Sequence, residues 1–154
     1  MRAITGLTSV MLAVAALGAC SNPLSTDGSV SIEAPNPAAE VAAVCEDLSA
    51  ALPDEVAGGQ RTDADPPSEL TEAWGSPAIV LRCGVGEPAA FRPTSQVATV
   101  NGVDWFPEEL EHGYVFTTWG RTVNVEVTVP DDYAPEVNPL VDLANPIKDT
   151  IPKV

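Results

Sequence analysis

The sequence predicts an α+β fold, in which an antiparallel sheet of about five strands carries an N-terminal and a C-terminal helix on one face, with one disulfide. Two hairpin patterns in the second half of the chain indicate the sheet. Apolar residues at helical spacing, before and after those hairpins, indicate the helices. Together these elements make residues 38–154 a single globular domain.

The two helices are predicted from apolar stripes. Val41, Cys45 and Leu48 share one helix face, which predicts a first helix over about residues 38–51, ended by Pro53. The second helix is predicted to begin at the sequence Asn-Pro of residues 138–139 and to be kinked or split by its internal proline, at residue 146. Its apolar positions follow the same spacing: Leu140, Leu143 and Ile147.

The strands are predicted from alternation and from turn residues. Asn101-Gly102 is typical of a two-residue hairpin turn between residues 97–100 and 103–106. A second hairpin joins residues 114–118 to residues 122–129, and its apolar residues alternate with polar ones. An earlier strand spans residues 79–83. We expect residues 54–73 to be a long loop with a short helical turn near residues 67–73.

Within the strand of residues 79–83, alternation gives each side chain a predicted direction. Cys83 lies on the face that the first helix covers, if it is bonded to Cys45, and Arg82 lies on the opposite face.

Residues 1–19 have the order of a lipoprotein signal peptide. Arg2 is followed by an apolar run from Met11 to Leu17, then by small residues, and the segment ends before Cys20. The run is shorter than the roughly 20 residues that a spanning helix needs. We therefore expect Cys20 to become the acylated first mature residue, carrying palmitate or similar chains; ordinary secretion is the alternative.

Lipidation at Cys20 would make residues 20–37 an anchored, flexible linker rich in Ser and Pro. It predicts a cell-membrane location on the extracytoplasmic face, with the membrane as a partner through the anchor. The net charge is −15, so no basic surface is available to neutralise phosphates, and nucleic acid is excluded as a partner.

The other two cysteines, Cys45 and Cys83, form a candidate pair. Outside the cytosol, where disulfides persist, we expect them to be bonded to each other. A redox-active pair is the alternative, although the two cysteines lack the C-x-x-C spacing of such sites.

Several polar residues are of the types found in catalytic and metal sites, but their spacing does not match such a site. The only histidine, His112, stands beside Glu108, Glu109 and Glu111, which we interpret as a solvated acidic loop between strands. The aspartates at residues 63, 65, 131 and 132 lack the spacing of an EF-hand loop. The sequence therefore assigns no catalytic residue, no metal ligand and no cofactor.

Aromatic and basic residues beside turns are the candidate binding residues. Tryptophans at loop edges can stack on a ligand or anchor a partner, and arginines near them can add hydrogen bonds. The alternative is that the tryptophans close the core and the arginines pair with surplus acids. The candidates are Trp74, Arg82, Trp105, Trp119 and Arg121.

Three strings around these candidates resemble a known family. They are Trp74 to Gly84 (WGSPAIVLRCG), Val100 to Trp105 (VNGVDW) and Phe116 to Arg121 (FTTWGR). Together they are similar to an actinobacterial envelope family catalogued as domain of unknown function 3515, over about residues 38–150. The resemblance implies a membrane-associated or lipid-anchored envelope protein and supports the cysteine pair, but it implies no activity.

From these features we expect a lipid-anchored, non-catalytic binding or assembly module that meets an envelope protein or a wall component. Because acidic residues are abundant, a hydrolase or transferase acting on cell-wall material through carboxylates is the alternative. Whether the chain is an enzyme stays open at this stage.

Overall fold

The computed structural model describes residues 28–154, so the predicted signal peptide and Cys20 lie outside the described residues. The helices are α1 (Ala39–Ala51) and α2 (Asn138–Thr150), and a short 3-10 helix spans Asp131–Tyr133. The strands in chain order are β1 (Val30–Ser31), β2 (Glu55–Val56), β3 (Gly59–Thr62), β4 (Ala64–Asp65), β5 (Thr71–Trp74), β6 (Ile79–Val85), β7 (Ala98–Val100), β8 (Val103–Leu110), β9 (Gly113–Trp119) and β10 (Asn124–Pro130).

The α+β class is confirmed, but the main sheet has eight strands and not about five. Its order is β2-β3-β5-β6-β10-β9-β8-β7, and every neighbouring pair is antiparallel. The prediction of a loop with a helical turn over residues 54–73 is wrong, because β2, β3, β4 and β5 all lie there. Three of these strands are short and largely polar, and they lack the alternation by which a strand is recognised in a sequence.

One face of the sheet forms the core together with both helices. Alternation along β6 and β10 places apolar side chains on that face, and they belong to the same buried cluster as the inward residues of α1 and α2. The central members of the cluster are Leu81, Cys83, Val125, Val127, Cys45, Leu48, Leu140, Leu143 and Ile147.

The disulfide between Cys45 and Cys83 is confirmed, and it joins α1 to β6 inside this core. Both cysteines are buried, and their Cα atoms lie 5.6 Å apart. Cys83 therefore faces the helix side, as predicted from the alternation in its strand.

Both predicted hairpins are confirmed. Asn101 and Gly102 have φ values of +48° and +83°, as a type I′ turn between β7 and β8 requires. In the second hairpin Phe116 lies opposite Val127, so the apolar residues of β9 and β10 share the core face.

A third hairpin joins β8 to β9, where we predicted an acidic loop. Glu108 and Glu109 belong to β8, and the turn consists of Glu111 and His112. Because the pair that closes a two-residue turn is hydrogen-bonded, alternation points the backbone of Pro107 away from β9. That side faces β7, which pairs only with residues 103–105 of β8. Pro107 has no N–H to donate, and no residue of β7 lies opposite it to need one.

Helix α2 is continuous through Pro146, so the predicted split is absent. Its buried residues include Leu143, Ala144 and Ile147, on both sides of the proline in the sequence. This packing outweighs the hydrogen bond that an internal proline removes. No helix within residues 28–154 is long and apolar enough to cross a membrane.

Residues 28–37 form an N-terminal arm that packs against the domain, although they belong to the predicted linker of residues 20–37. Strand β1 pairs in parallel with β4, through Val30 opposite Ala64. Ile32 is only 4% exposed. Residues of this arm therefore pack against the rest of the described chain.

We predict that the double variant Cys45→Ala/Cys83→Ala loses about 4 kcal/mol of unfolding free energy, because an unbridged unfolded chain gains loop entropy over a separation of 38 residues. Chemical denaturation of the variant and of the reduced parent chain measures the loss. The two should agree. A loss below about 1 kcal/mol would show that the core holds α1 on β6 without the bond.

Candidate functional site

Two of the predicted binding residues, Trp74 and Trp105, lie in the core with no exposed surface. The indole N–H of Trp74 donates a hydrogen bond to the Pro53 carbonyl at 2.9 Å, and the Arg61 guanidinium lies 5.8 Å from the centre of its ring. Neither ring is available to a ligand in this structure.

The other three candidates, Arg82, Trp119 and Arg121, line two adjoining hollows at one end of the sheet. The Trp119 hollow has a volume of about 360 Å³ and includes Trp119 and Arg121 in its wall. The Arg82 hollow has a volume of about 450 Å³. The two hollows share a wall formed by Gly84, Val85 and Glu87.

Trp119 is the exposed tryptophan of the described chain, with 38% of its surface accessible. Its ring stacks on Phe91 at a centroid distance of 3.9 Å and an interplanar angle of 26°. Phe91 in turn meets Phe106 edge to face at 5.3 Å. The three rings form an aromatic cluster that holds the indole in place, so a ligand would meet a preorganised ring.

The strand registers explain why Arg82 and Trp119 come together. Arg82 lies opposite Glu126, Glu126 opposite Thr117, and Thr117 opposite Phe106, which makes one row across four strands. This row is on the face away from Cys83. Trp119 follows Thr117 by two residues in β9, so it lies on the same face.

Arg82 is paired and not free for a ligand. Its Nη1 lies 3.2 Å from an Oε1 atom of Glu126 on the neighbouring strand. Pro35 and Asn36 of the N-terminal arm form the other side of the Arg82 hollow. Gly84 permits this close approach, because its φ is +85° and an added Cβ would lie 2.9 Å from Pro37 Cγ.

Arg121 connects three parts of the chain, although its position also borders the Trp119 hollow. It is 6% exposed, and its guanidinium donates to the carbonyl of Ile151 and, at 3.3 Å, to the carbonyl of Gly102. Burial lowers the pKa of Arg121, and the nearby Asp104 carboxylate opposes part of that effect. The Arg121 side chain therefore connects the end of α2 to the β7–β8 turn through hydrogen bonds.

The acidic groups identified in the sequence stay apart from these hollows. His112 is exposed, 3.9 Å from Glu111 and 3.7 Å from Asp131. Asp63 and Asp65 line the largest hollow, of about 1010 Å³, at the β3–β5 end of the sheet. In the part of the chain that the structure describes, no group of three His, Cys, Asp or Glu side chains is arranged to hold a metal ion.

Every lysine and arginine of residues 28–154 already has a partner within the chain. Three arginines are held by carboxylates or by carbonyls of the fold: Arg61, Arg82 and Arg121. Arg92 donates to carbonyls of its own loop, Lys148 donates to Asn145, and Lys153 lies 4.0 Å from Asp104. The Nε atoms of Arg82 and Arg121 are buried without a hydrogen-bond partner, while other atoms of both guanidinium groups contact acceptors of the fold. The hollows therefore offer a ligand mainly aromatic, amide, hydroxyl and carboxylate groups.

The sequence did not identify Phe91 or Glu87 as site residues. Both lie in the irregular connection between β6 and β7, where Pro88 and Pro93 interrupt any periodic pattern. A single large aromatic residue within a polar, proline-containing connection is the one signal that could have marked Phe91.

We predict that Arg121→Ala lowers the free energy of unfolding by about 2–4 kcal/mol, because the buried carbonyl of Ile151 and the part-buried hydrogen bond to Gly102 lose a charged donor. The exposed cation of α2 supplies the control, and Lys148→Ala should change stability by less than about 0.5 kcal/mol. Thermal and chemical denaturation measure both. If Arg121→Ala and Lys148→Ala change the free energy of unfolding by equally small amounts, Arg121 is not a structural link and is again a candidate ligand contact.

Comparison with known proteins gives one match. A search of curated proteins and a search of solved structures each find none. One family model, described as protein of unknown function (DUF3515), matches residues 5–154. This match covers nearly the whole sequence, and the chain belongs to that family.

Proposed function

We propose that the chain is a lipid-anchored, extracytoplasmic binding or assembly module of the cell envelope, and that it has no catalytic activity of its own. The anchor is proposed from the sequence alone. Arg2, the apolar run that ends at Leu17, and the small residues before Cys20 are its support. Two or more acyl chains on Cys20 would hold the domain stably at the membrane.

The disulfide supports the proposed compartment. Bonded cysteine pairs persist in oxidising environments and are rare in the cytosol. The Cys45–Cys83 bond is buried in the core, where it acts as a structural link between α1 and β6. This position favours a structural bond over a redox-active one.

The Trp119 hollow is the observation that carries the binding role. A tryptophan with 38% of its surface exposed lies beside a concave site, with its ring held by Phe91 and Phe106. A rigid aromatic ring beside polar groups is a common anchor for ligands and partners. The other exposed large apolar residues of the described chain are aliphatic and offer no ring for stacking.

A hydrolase or transferase acting on wall material is the second candidate. It is favoured by two carboxylates, Glu87 and Glu126, that both line the Arg82 hollow. Glu126 is engaged with Arg82, so only Glu87 has no ion-pair partner in that site. Turnover of a wall fragment that Glu87→Gln abolishes would favour this candidate over a binding module.

We predict that Cys20→Ala abolishes the incorporation of labelled palmitate, because the thiol that would carry the acyl chains is absent. Treatment of cells with globomycin, which blocks cleavage of lipoprotein signal peptides, should leave residues 1–19 attached and increase the mass of the protein. Metabolic labelling and immunoblotting measure the two changes. Equal labelling of the parent chain and of Cys20→Ala, or an unchanged mass under globomycin, would contradict the anchor.

We further predict that the full chain carrying Cys20→Ala, which cannot be acylated at residue 20, is retained on washed envelope fragments from its own host, and that part of this retention depends on Trp119. Adding Trp119→Ala should lower retention by about tenfold. Val141→Ala is the matched control, because Val141 is an exposed apolar residue on α2 and lines neither hollow. No retention of the parent chain would contradict a binding role.

A further inference from the structure

We infer that the Trp119 hollow binds an uncharged saccharide chain, an inference that rests on the proposed binding function and specifies its ligand. The hollow combines one exposed aromatic ring with hydrogen-bonding groups. A sugar ring has the matching construction, since its C–H groups form an apolar face and its hydroxyls project around the rim. The residues that line the hollow supply both an apolar surface and hydrogen-bonding groups.

Trp119 is the aromatic residue that lines the hollow. One side of its indole rests on Phe91 at 3.9 Å between ring centres, which holds the partly exposed ring in a fixed orientation. A fixed ring loses little conformational freedom when a ligand stacks on it. Four valines complete the apolar lining: Val41, Val85, Val123 and Val154.

The polar side of the hollow is formed by short, neutral side chains and one carboxylate. Thr122, Asn124 and Glu87 line it together with the backbone of Gly120. Hydroxyl and amide groups both donate to and accept from sugar hydroxyls, and an ionised carboxylate accepts hydrogen bonds from them. A volume of about 360 Å³ falls within the range of known ligand pockets, about 300–1,000 Å³.

Charge selects an uncharged ligand over an anionic one. The chain carries 22 acidic residues against seven lysines and arginines. The arginine at this site, Arg121, directs its guanidinium to Ile151 and Gly102. A phosphate, sulfate or uronate group would meet the Glu87 carboxylate, and both arginines that line the hollows already contact acceptors of the fold, so anionic polymers are disfavoured.

A saccharide also fits better than an apolar peptide. The walls of the Trp119 hollow include four polar side chains beside five apolar ones, and the site is open at the surface. Apolar peptide anchors need a deep, dry pocket to gain their full affinity. The open, mixed lining instead suits a ligand that remains partly hydrated.

The test is titration calorimetry of the full chain carrying Cys20→Ala with three uncharged hexasaccharides: chitohexaose, cellohexaose and maltohexaose. An anionic oligogalacturonate and an uncharged apolar hexapeptide are the comparison ligands. We expect saturable binding to at least one hexasaccharide, weakened about tenfold or more by Trp119→Ala and also weakened by Asn124→Ala. Val141→Ala should leave the dissociation constant unchanged. Near-native circular dichroism of each variant confirms that the fold is retained.

Envelope fragments separate failure of this inference from failure of the binding function. Fragments treated with a general protease should still retain the chain if the ligand is saccharide. Retention on intact fragments that disappears after protease treatment would keep the binding function and overturn the saccharide. Binding to none of the hexasaccharides, equal binding by Trp119→Ala, or preference for the peptide would also overturn it.

Discussion

The covalent link between Cys45 and Cys83 is the constraint on which both the core and the candidate site depend. The bond fixes α1 against β6. Val41 lies one helical turn before Cys45 and lines the Trp119 hollow, while Gly84 and Val85 follow directly after Cys83 and form the wall between the hollows. The same link therefore positions both sides of the site. The buried bond can hold this surface geometry because both cysteines lie next to lining residues in the sequence. Cys45 follows Val41 by one helical turn, and Cys83 directly precedes Gly84 and Val85.

The few basic residues cross-link the fold instead of forming a binding surface. Arg82 joins two strands through Glu126, and Arg121 joins the end of α2 to the β7–β8 turn. Arg61 joins Glu72 of β5 to the carbonyl at the end of α1. The many carboxylates are mostly exposed and confer solubility. An acidic chain built in this way uses its cations internally, and the contacts left for a ligand are aromatic, hydroxyl, amide and acidic.

Local signals were sufficient for part of the fold, and the one long-range contact that the sequence predicted is the Cys45–Cys83 bond. Asn101-Gly102 defines its own turn by backbone preference, and the helix stripes are visible within a dozen residues. Strands β2 to β4 are held by their neighbours and carry no pattern of their own. The same distinction applies to the site. Trp119 was recognisable beside its turn, whereas Trp74 and Trp105 have the same local setting and become core residues only through tertiary packing. Phe91 was missed because its role depends on a ring that is 28 positions away in the sequence.

The N-terminal arm connects the proposed anchor to the site. Pro35 and Asn36 line the Arg82 hollow, and Pro37 lies against Gly84, so the arm is part of the wall and not only a tether. Val30, which pairs with β4, is the first strand residue of the described part of the chain and lies ten positions after Cys20. However the intervening residues are arranged, ten peptide units span at most about 35 Å. A domain anchored through Cys20 would thus keep both hollows within the layer next to the membrane, and its ligand would have to occur in that layer. A saccharide chain that extends from the wall toward the membrane meets this requirement, since it can enter an open hollow without the domain leaving its anchor.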